Sequence, residues 1–409
     1  MPENTVHSPA GKKKVLTLFG TRPEIIKLAP VLWQLERGRN CISTINVASG
    51  QHPDLLDPFV KRFGVRVDHQ LHGAEAGQTS DSLCMRILQE LHPVLDQQRP
   101  DLILVQGDTT TALAGALAGD RHGIPVAHVE AGLRSGNLLS PYPEEMNRRL
   151  ITGLAAYHFA ATRRNRDSLL LEGVPPLSVF LTGNPVVDAL AGFLRGARRP
   201  SPRLKSLLQT MAGRKYIVLT THRRESFGDV LAENLRVHCR FVRDHSDIGL
   251  IFPVHPNPNV RVPAKEICGS QTRVVLTEPL DYEDFIGLLS DAWLIVSDSG
   301  GIQEEAPSLG KPLLILRENT ERAECIEAGI ARLVGGRPAT LSAMLEDAYR
   351  KGSWIESVGK RQNPFGNGDS GQRIATYVAT LLGLESVWKS KHPLPISRIA
   401  ASQEPVFAV

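Results

Sequence analysis

Short, almost unbroken apolar runs recur through the chain, and each is closed by a glycine or a polar side chain. KVLTLFG (14–20), TINVASG (44–50), LILVQGD (102–108) and PVAHVEAG (125–132) occupy the first half. YIVLTTH (216–222), IGLIFPVH (248–255), TRVVLTEP (272–279), AWLIVSDS (292–299) and KPLLILREN (311–319) occupy the second. Such runs lack the apolar–polar alternation of a sheet with one wet face, so they read as parallel strands covered on both sides. The stretches between them are long and amphipathic enough to be crossover helices. Alternation of this kind admits few folds, because crossovers between parallel strands are right-handed. The expectation is α/β, with a doubly wound sheet in each half.

A chain of 409 residues is too long for one core of ordinary size. The seam is expected within 185–215, where GNPVVDAL gives way to GARRPSPRLKSL. A second break near 360–370, RQNPFGNGDSGQ, precedes a closing helix, RIATYVATLLGL. The expected order is a disordered leader (1–13), a Rossmann-like domain (14–190), a second one (191–368), a C-terminal helix (369–386) and a tail with little order (387–409). A formal charge of +4, with 42% apolar and 22% charged residues, describes a globular chain without a nucleic-acid signature. The scattered cysteines (Cys41, Cys84, Cys239, Cys268, Cys325) form no CxxC pair and no Cys/His cluster. They argue for a reducing compartment and against a disulfide framework or structural zinc. MPENTVHSPAGKKK lacks the apolar centre of a secretion signal, and no apolar run approaches the ~20 residues that cross a bilayer. A cytoplasmic protein, without membrane or nucleic-acid partner, is expected.

In open α/β sheets, ligands bind beyond the carboxyl ends of the strands. Arg22, Asp108, Glu130, His222, His255 and Ser299 all fall at such ends, and two facing Rossmann-like halves would gather them in a cleft. FGTRPEIIKLAP (19–30) is a glycine turn before a helix opened by Pro23. With Arg22 and Lys27 it is either an anion site or an ordinary turn carrying solvated charges. In QGDTTTALAGALAG (106–119), Asp108 is either a helix N-cap or a carboxylate set for proton transfer. SDSGGIQEEAPSLGKP (297–312) puts Ser299 at the cap of a helix. Gly300 and Gly301 in its first turn let a phosphate approach the backbone, with Glu304 and Glu305 following for ribose hydroxyls. Arg223, Arg224 and Arg322 join the two histidines as cations suited to a diphosphate. No HExxH or GxSxG pattern appears, so zinc and serine hydrolysis have no support.

FGTRPEIIKLAP, QGDTTTALAGALAG, HVEAGLRSG…SPYPEEMNRRL, HRRESFG, PVHPNPNV and SDSGGIQEEAPSLGKPLL together resemble the non-hydrolysing UDP-N-acetylglucosamine 2-epimerases, over residues 14–383. The resemblance implies a GT-B-like architecture of two Rossmann-like domains, with the active site in the interdomain cleft. It also implies a homodimer that uses no nicotinamide or other cofactor and no metal. The implied reaction interconverts UDP-GlcNAc and UDP-ManNAc by eliminating UDP to 2-acetamidoglucal and adding it back. By position, Asp108, Glu130 and Glu144 correspond to the family's catalytic carboxylates and His222 to its catalytic histidine. Which carboxylate is base and which is acid stays open. Arg22, Lys27, His255, Phe285, Ser299, Gly300, Gly301, Glu305 and Arg322 fall at positions that hold UDP. A second, regulatory UDP-GlcNAc would meet Gln51, Gln78, Glu144 and Arg223.

Within HVEAGLRSGNLLSPYPEEMNRRL (128–150), the resemblance sends Glu130 and Glu144 to the sugar. Glu145 then reads as a helix-start carboxylate and Arg148 as the residue that orients Glu144. The chain departs from the family at Pro53 and Asp54, where an Arg-Glu-like pair is expected, and at Ala323, where proline is usual. NPFGNG replaces the commoner NPYGDG. The rival activities are a 2-epimerase of a modified UDP-sugar, such as a diacetamido uronic acid, and a GT-B glycosyltransferase.

Overall fold

The computed structural model describes residues 11–74, 77–195, 200–223 and 226–391. They divide into two compact units, one running to Ala189 and resuming at Gly366, the other Leu190–Phe365.

The first unit contains the strands β1 (Lys13–Phe19), β2 (Ile42–Ala48), β3 (His69–Gln70), β4 (Leu102–Gln106), β5 (Val126–Ala131), β6 (Tyr157–Ala160) and β7 (Val179–Leu181). They form a parallel sheet ordered β3-β2-β1-β4-β5-β6-β7. The sequence order reverses between β1 and β4, and at such a switch point the helices leave on opposite faces and open a crevice. Leu16, Leu18, Val47, Ile103 and Val105 pack under Ile87, Leu91 and Leu95 of the helix Ser80–Gln98. The helix Thr110–His122 lies very close to the sheet. A methyl group at Gly115 would come within 2.7 Å of Val105 Cγ1, and one at Gly119 within 2.3 Å of Val126 Cγ2. The small residues of TALAGALAG thus fix the helix directly behind Asp108.

The second unit repeats the plan with β8 (Lys215–Thr220), β9 (Ile248–Pro253), β10 (Val274–Thr277), β11 (Leu294–Ser297), β12 (Leu313–Ile315) and β13 (Ala331–Leu333). Its parallel order, β10-β9-β8-β11-β12-β13, places the switch between β8 and β11. Ile217, Leu219, Leu250, Phe252, Leu294 and Val296 form its core with Leu235 and Val242 of the helix Asp229–Asp244. Two Rossmann-like sheets are therefore present.

Four strands escaped the sequence reading: β3, β6, β7 and β13. Each has four residues or fewer. Two further differences concern the ends. The stretch read as a leader includes the first residue of the sheet, since β1 starts at Lys13 and Lys13 pairs with Asp101 at 2.8 Å. The segment read as a loose tail begins as a helix, Glu385–Lys391. Its Trp388 is 2% exposed and lies against Gly38, where a methyl group would come within 2.0 Å of the indole. The helix before it, Ser370–Leu381, belongs to the first unit and packs on the helix Arg22–Arg37. No helix among the described residues is long and apolar enough to cross a membrane.

Candidate functional site

In the first unit the polar side chains gather at the ends of β1, β4 and β5. After β1 the chain turns through Gly20 into the helix Arg22–Arg37, capped at Thr21. Glu24 folds back on this start: Oε2 accepts from Gly20 N (2.9 Å), Thr21 N (2.7 Å) and Thr21 Oγ1 (2.8 Å). Its Oε1 accepts from Thr109 Oγ1 at 2.7 Å, so a capping box also spans the switch point. Burial pushes Glu24 up to about 7, against the hydrogen bonds from Thr109, Gly20 and Thr21. Arg22 is exposed, with its guanidinium 5.8 Å from the Phe59 ring centre. Lys27, one turn on, is buried and holds Glu130 Oε1 at 2.6 Å.

Glu130 is the most strained of these residues. The β5–β6 register shifts between Val129 and Ala131, and Glu130 sits in the resulting bulge at φ 66°. A non-glycine residue in the left-handed region costs about 1–3 kcal/mol, and such strain collects at functional sites. The bulge turns the carboxylate into a nest of donors: Lys27 Nζ, Gln106 Nε2 at 2.5 Å and Asn184 Nδ2 at 3.1 Å.

Asp108 follows Gly107, whose φ of 74° makes the turn after β4. It is not the cap of the next helix. Thr109 holds that position, its side chain accepting from Ala112 N. Asp108 is instead gripped by Arg148, whose Nε donates at 2.8 Å and whose Nη2 lies at 2.6 Å, both on Oδ2. Arg148 thus departs from its expected role beside Glu144. It also donates to Glu145 Oε2, at 3.0 Å. Glu145 stands in the first turn of its helix, as expected, and there it is fully buried and also accepts from Ser135 N. Glu144 opens the helix Glu144–Leu154, and its Oε2 is enclosed without a hydrogen-bond partner among the described residues. His128 lies fully buried two residues before Glu130, and burial above all holds it down to about 4.

In the second unit the centre is Asp298, at the end of β11. It is fully buried, and its Oδ2 accepts from Thr221 Oγ1 (2.7 Å), His222 N (2.9 Å) and Arg223 N (3.0 Å). Its Oδ1 lies 3.1 Å from His222 Nδ1. Burial opposes its ionisation, but the bonds from His222, Arg223 and Thr221 win and hold it below the ordinary range. The His222 ring stacks at 5.7 Å on His255, which burial and the neighbouring His222 hold below the usual imidazole value. Ser299 stands at the N-cap of the helix Gly300–Leu309, but its side chain makes no capping bond. The first N–H groups of that helix, with Gly301 exposed, form an anion-binding end.

Arg322 lies beside this helix end, its Nε 2.6 Å from Glu304 Oε1 and its Nη1 2.5 Å from Glu321 Oε1. A methyl group at Gly300 would come within 2.9 Å of Arg322 Nη1 and press on the guanidinium. Glu305 accepts from Tyr282 Oη at 2.9 Å, and Phe285 is half-buried on the same helix as Tyr282. Of the regulatory candidates, Gln51 Oε1 accepts from Thr111 Oγ1, Gln78 Oε1 from Arg86, and Arg223 Nε donates to the Asp298 carbonyl. Arg224 lies outside the described residues.

Each unit therefore brings its own candidates together: Lys27, Asp108 and Glu130 with Glu24 in the first, His222, His255, Ser299 and Arg322 with Asp298 in the second. Glu24, Gln106, Asn184 and Asp298 were missed as site residues. Asp298 was visible in principle, as the acid between two serines at a strand end. Among the described residues no group of three ligating side chains is placed to hold a metal ion.

The family model described as UDP-N-acetylglucosamine 2-epimerase matches residues 35–379. The chain is 43% identical over 366 residues to the UDP-N-acetylglucosamine 2-epimerase of Salmonella typhimurium, covering 88% of this chain and 97% of that one. The UDP-GlcNAc 2-epimerase of Neisseria meningitidis, solved with UDP-GlcNAc bound, is 38% identical with a TM-score of 0.82, over 90% of this chain and 100% of that one. S. aureus MnaA in complex with UDP is 35% identical with a TM-score of 0.84, over 91% and 97%.

Proposed function

Because the chain belongs to the UDP-N-acetylglucosamine 2-epimerase family, we propose that it interconverts UDP-GlcNAc and UDP-ManNAc by inverting C2 of the sugar. The observation that carries this reading is the strained Glu130 among donors, with Asp108 and Glu144 on the neighbouring turn and helix. A transferase needs no such set of carboxylates.

The C2 proton is not next to a carbonyl, so the lowest route is elimination. A carboxylate takes the proton from C2, the C2–H pair forms the C1=C2 bond, and the C1–O pair leaves with UDP. Protonation of C2 on the opposite face and return of UDP to C1 complete the inversion. The step needs proton-transfer groups on both faces of C2 and cations at the departing diphosphate. Glu144, with an oxygen that has no partner among the described residues, accepts a proton without breaking an ion pair. Asp108 keeps Oδ1 for the sugar while Arg148 holds Oδ2. Glu130 anchors Lys27 toward developing negative charge.

His222, oriented by Asp298 at Nδ1, presents Nε2 to the leaving phosphate, as a buried carboxylate sets the tautomer of a histidine. Arg22, Lys27, Ser299, Gly300, Gly301, His255 and Arg322 bind the diphosphate, Phe285 packs on uracil, and Glu305 holds the ribose. A second UDP-GlcNAc at Gln51, Gln78 and Arg223 regulates the enzyme, and the active particle is a homodimer. Light scattering would then give twice the chain mass of 44.8 kDa.

The test is to incubate the protein with UDP-GlcNAc and follow the sugar by NMR. UDP-ManNAc at equilibrium with substrate supports the reading. Free sugar with UDP, or an unchanged nucleotide sugar, sinks it.

A further inference from the structure

We infer that His128 and Asn147 are positioning residues that clamp the two backbone carbonyls flanking Asp108. His128 Nε2 stands 2.7 Å from the carbonyl oxygen of Gly107. Asn147 Nδ2 donates to the carbonyl oxygen of Asp108 itself at 2.9 Å. Neither side chain is solvent-driven: His128 is 0% and Asn147 3% exposed. With the Arg148 grip on Oδ2, Asp108 is held at its side chain and on both sides of its backbone.

A carbonyl only accepts, so His128 must carry its proton on Nε2. Its Nδ1 is then unprotonated, and it is buried with no hydrogen-bond partner among the described residues. An imidazole kept whole in the core with one nitrogen unsatisfied costs stability that an apolar residue would not. That cost has a local return. Gly107 N donates to Val129 O, so the left-handed turn before Asp108 is pinned to β5 from both its N–H and its carbonyl. Because β5 also carries Glu130 two residues on, the same bond couples the placement of the two carboxylates. A shift of about 1 Å in a reacting group can cost roughly 100-fold in rate.

The proposal rests on the reading that Asp108 acts at the sugar, and two measurements keep the two apart. For His128→Leu and Asn147→Leu, kcat is expected to fall about 10- to 100-fold, with KM and UDP affinity changed less than about twofold. His128→Gln, which restores an N–H donor, should recover most of the loss. If His128→Leu melts normally and keeps full kcat, the clamp is refuted. The second measurement needs no activity: 15N NMR of histidine-labelled wild type at neutral pH reports the His128 tautomer. An Nε2–H signal supports the clamp even if the substrate assignment fails, and an Nδ1–H signal or an imidazolium overturns it.

Discussion

At the residue scale, Asp298 decides how the second unit works. Three donors converge on its Oδ2, so Asp298→Asn can keep that oxygen in place while presenting an amide to His222 Nδ1. The fold should survive, and the histidine should lose its orienting charge. We expect kcat to fall on the order of 10²–10⁴-fold, the range for a disabled acid–base partner, with UDP binding by calorimetry little changed. Gly300→Ala should behave in the opposite way. Its methyl group meets an Arg322 guanidinium already fixed by two glutamates, so UDP affinity should drop about tenfold, or ~1.4 kcal/mol, while the protein stays folded. Unchanged UDP affinity in Gly300→Ala would remove Arg322 from the diphosphate site.

At the scale of elements, two anchors of the C-terminal helices, Trp388 and Asp188, can be tested one at a time. Trp388 fills the space over Gly38 and donates to Thr376 Oγ1 at 3.2 Å. Trp388→Ala should cost about 3–5 kcal/mol if the site does not collapse, read as a lowered Tm with the chemistry intact. Asp188 accepts from Ser370 N at 3.1 Å and Gly371 N at 2.9 Å, the first amides of the helix Ser370–Leu381. Burial pushes it from 3.8 up to about 6 despite those bonds. Since the folded value is the higher, the native state binds more protons between the two. Its contribution is fully present below 3.8 and is lost as pH rises through 6. Asp188→Asn cannot ionise, so it should be more stable than wild type at pH 8, by on the order of 2 kcal/mol, and should lose that advantage by pH 4. A difference independent of pH would show that the charge on Asp188 does not matter.

At the scale of the molecule, the two parallel sheets were legible because every long apolar run had to be a covered strand. The short edges, such as Val179–Leu181 and Ala331–Leu333, carry no pattern of their own and form only because a neighbouring strand is already there. The site was legible where a strand end and a polar residue coincide, as at Asp108, Glu130 and His222. It was not legible where a partner comes from far along the chain. Arg148 was expected beside Glu144 on its own helix, yet it reaches Asp108, 40 residues away, and Glu145. Local spacing ranks neighbours on one helix but cannot see which strand end the helix faces. For the same reason Asn184 was invisible as a partner of Glu130 across 54 residues.

Inversion of C2 through loss of its proton and protonation from the other face leaves a solvent hydrogen at C2, which D2O reveals. UDP-GlcNAc incubated with the protein should take up deuterium at C2 in both epimers, and Glu144→Gln and Glu130→Gln should slow this exchange. Epimerisation with C2 hydrogen retained, or no exchange from a protein that binds UDP normally, would contradict this mechanism.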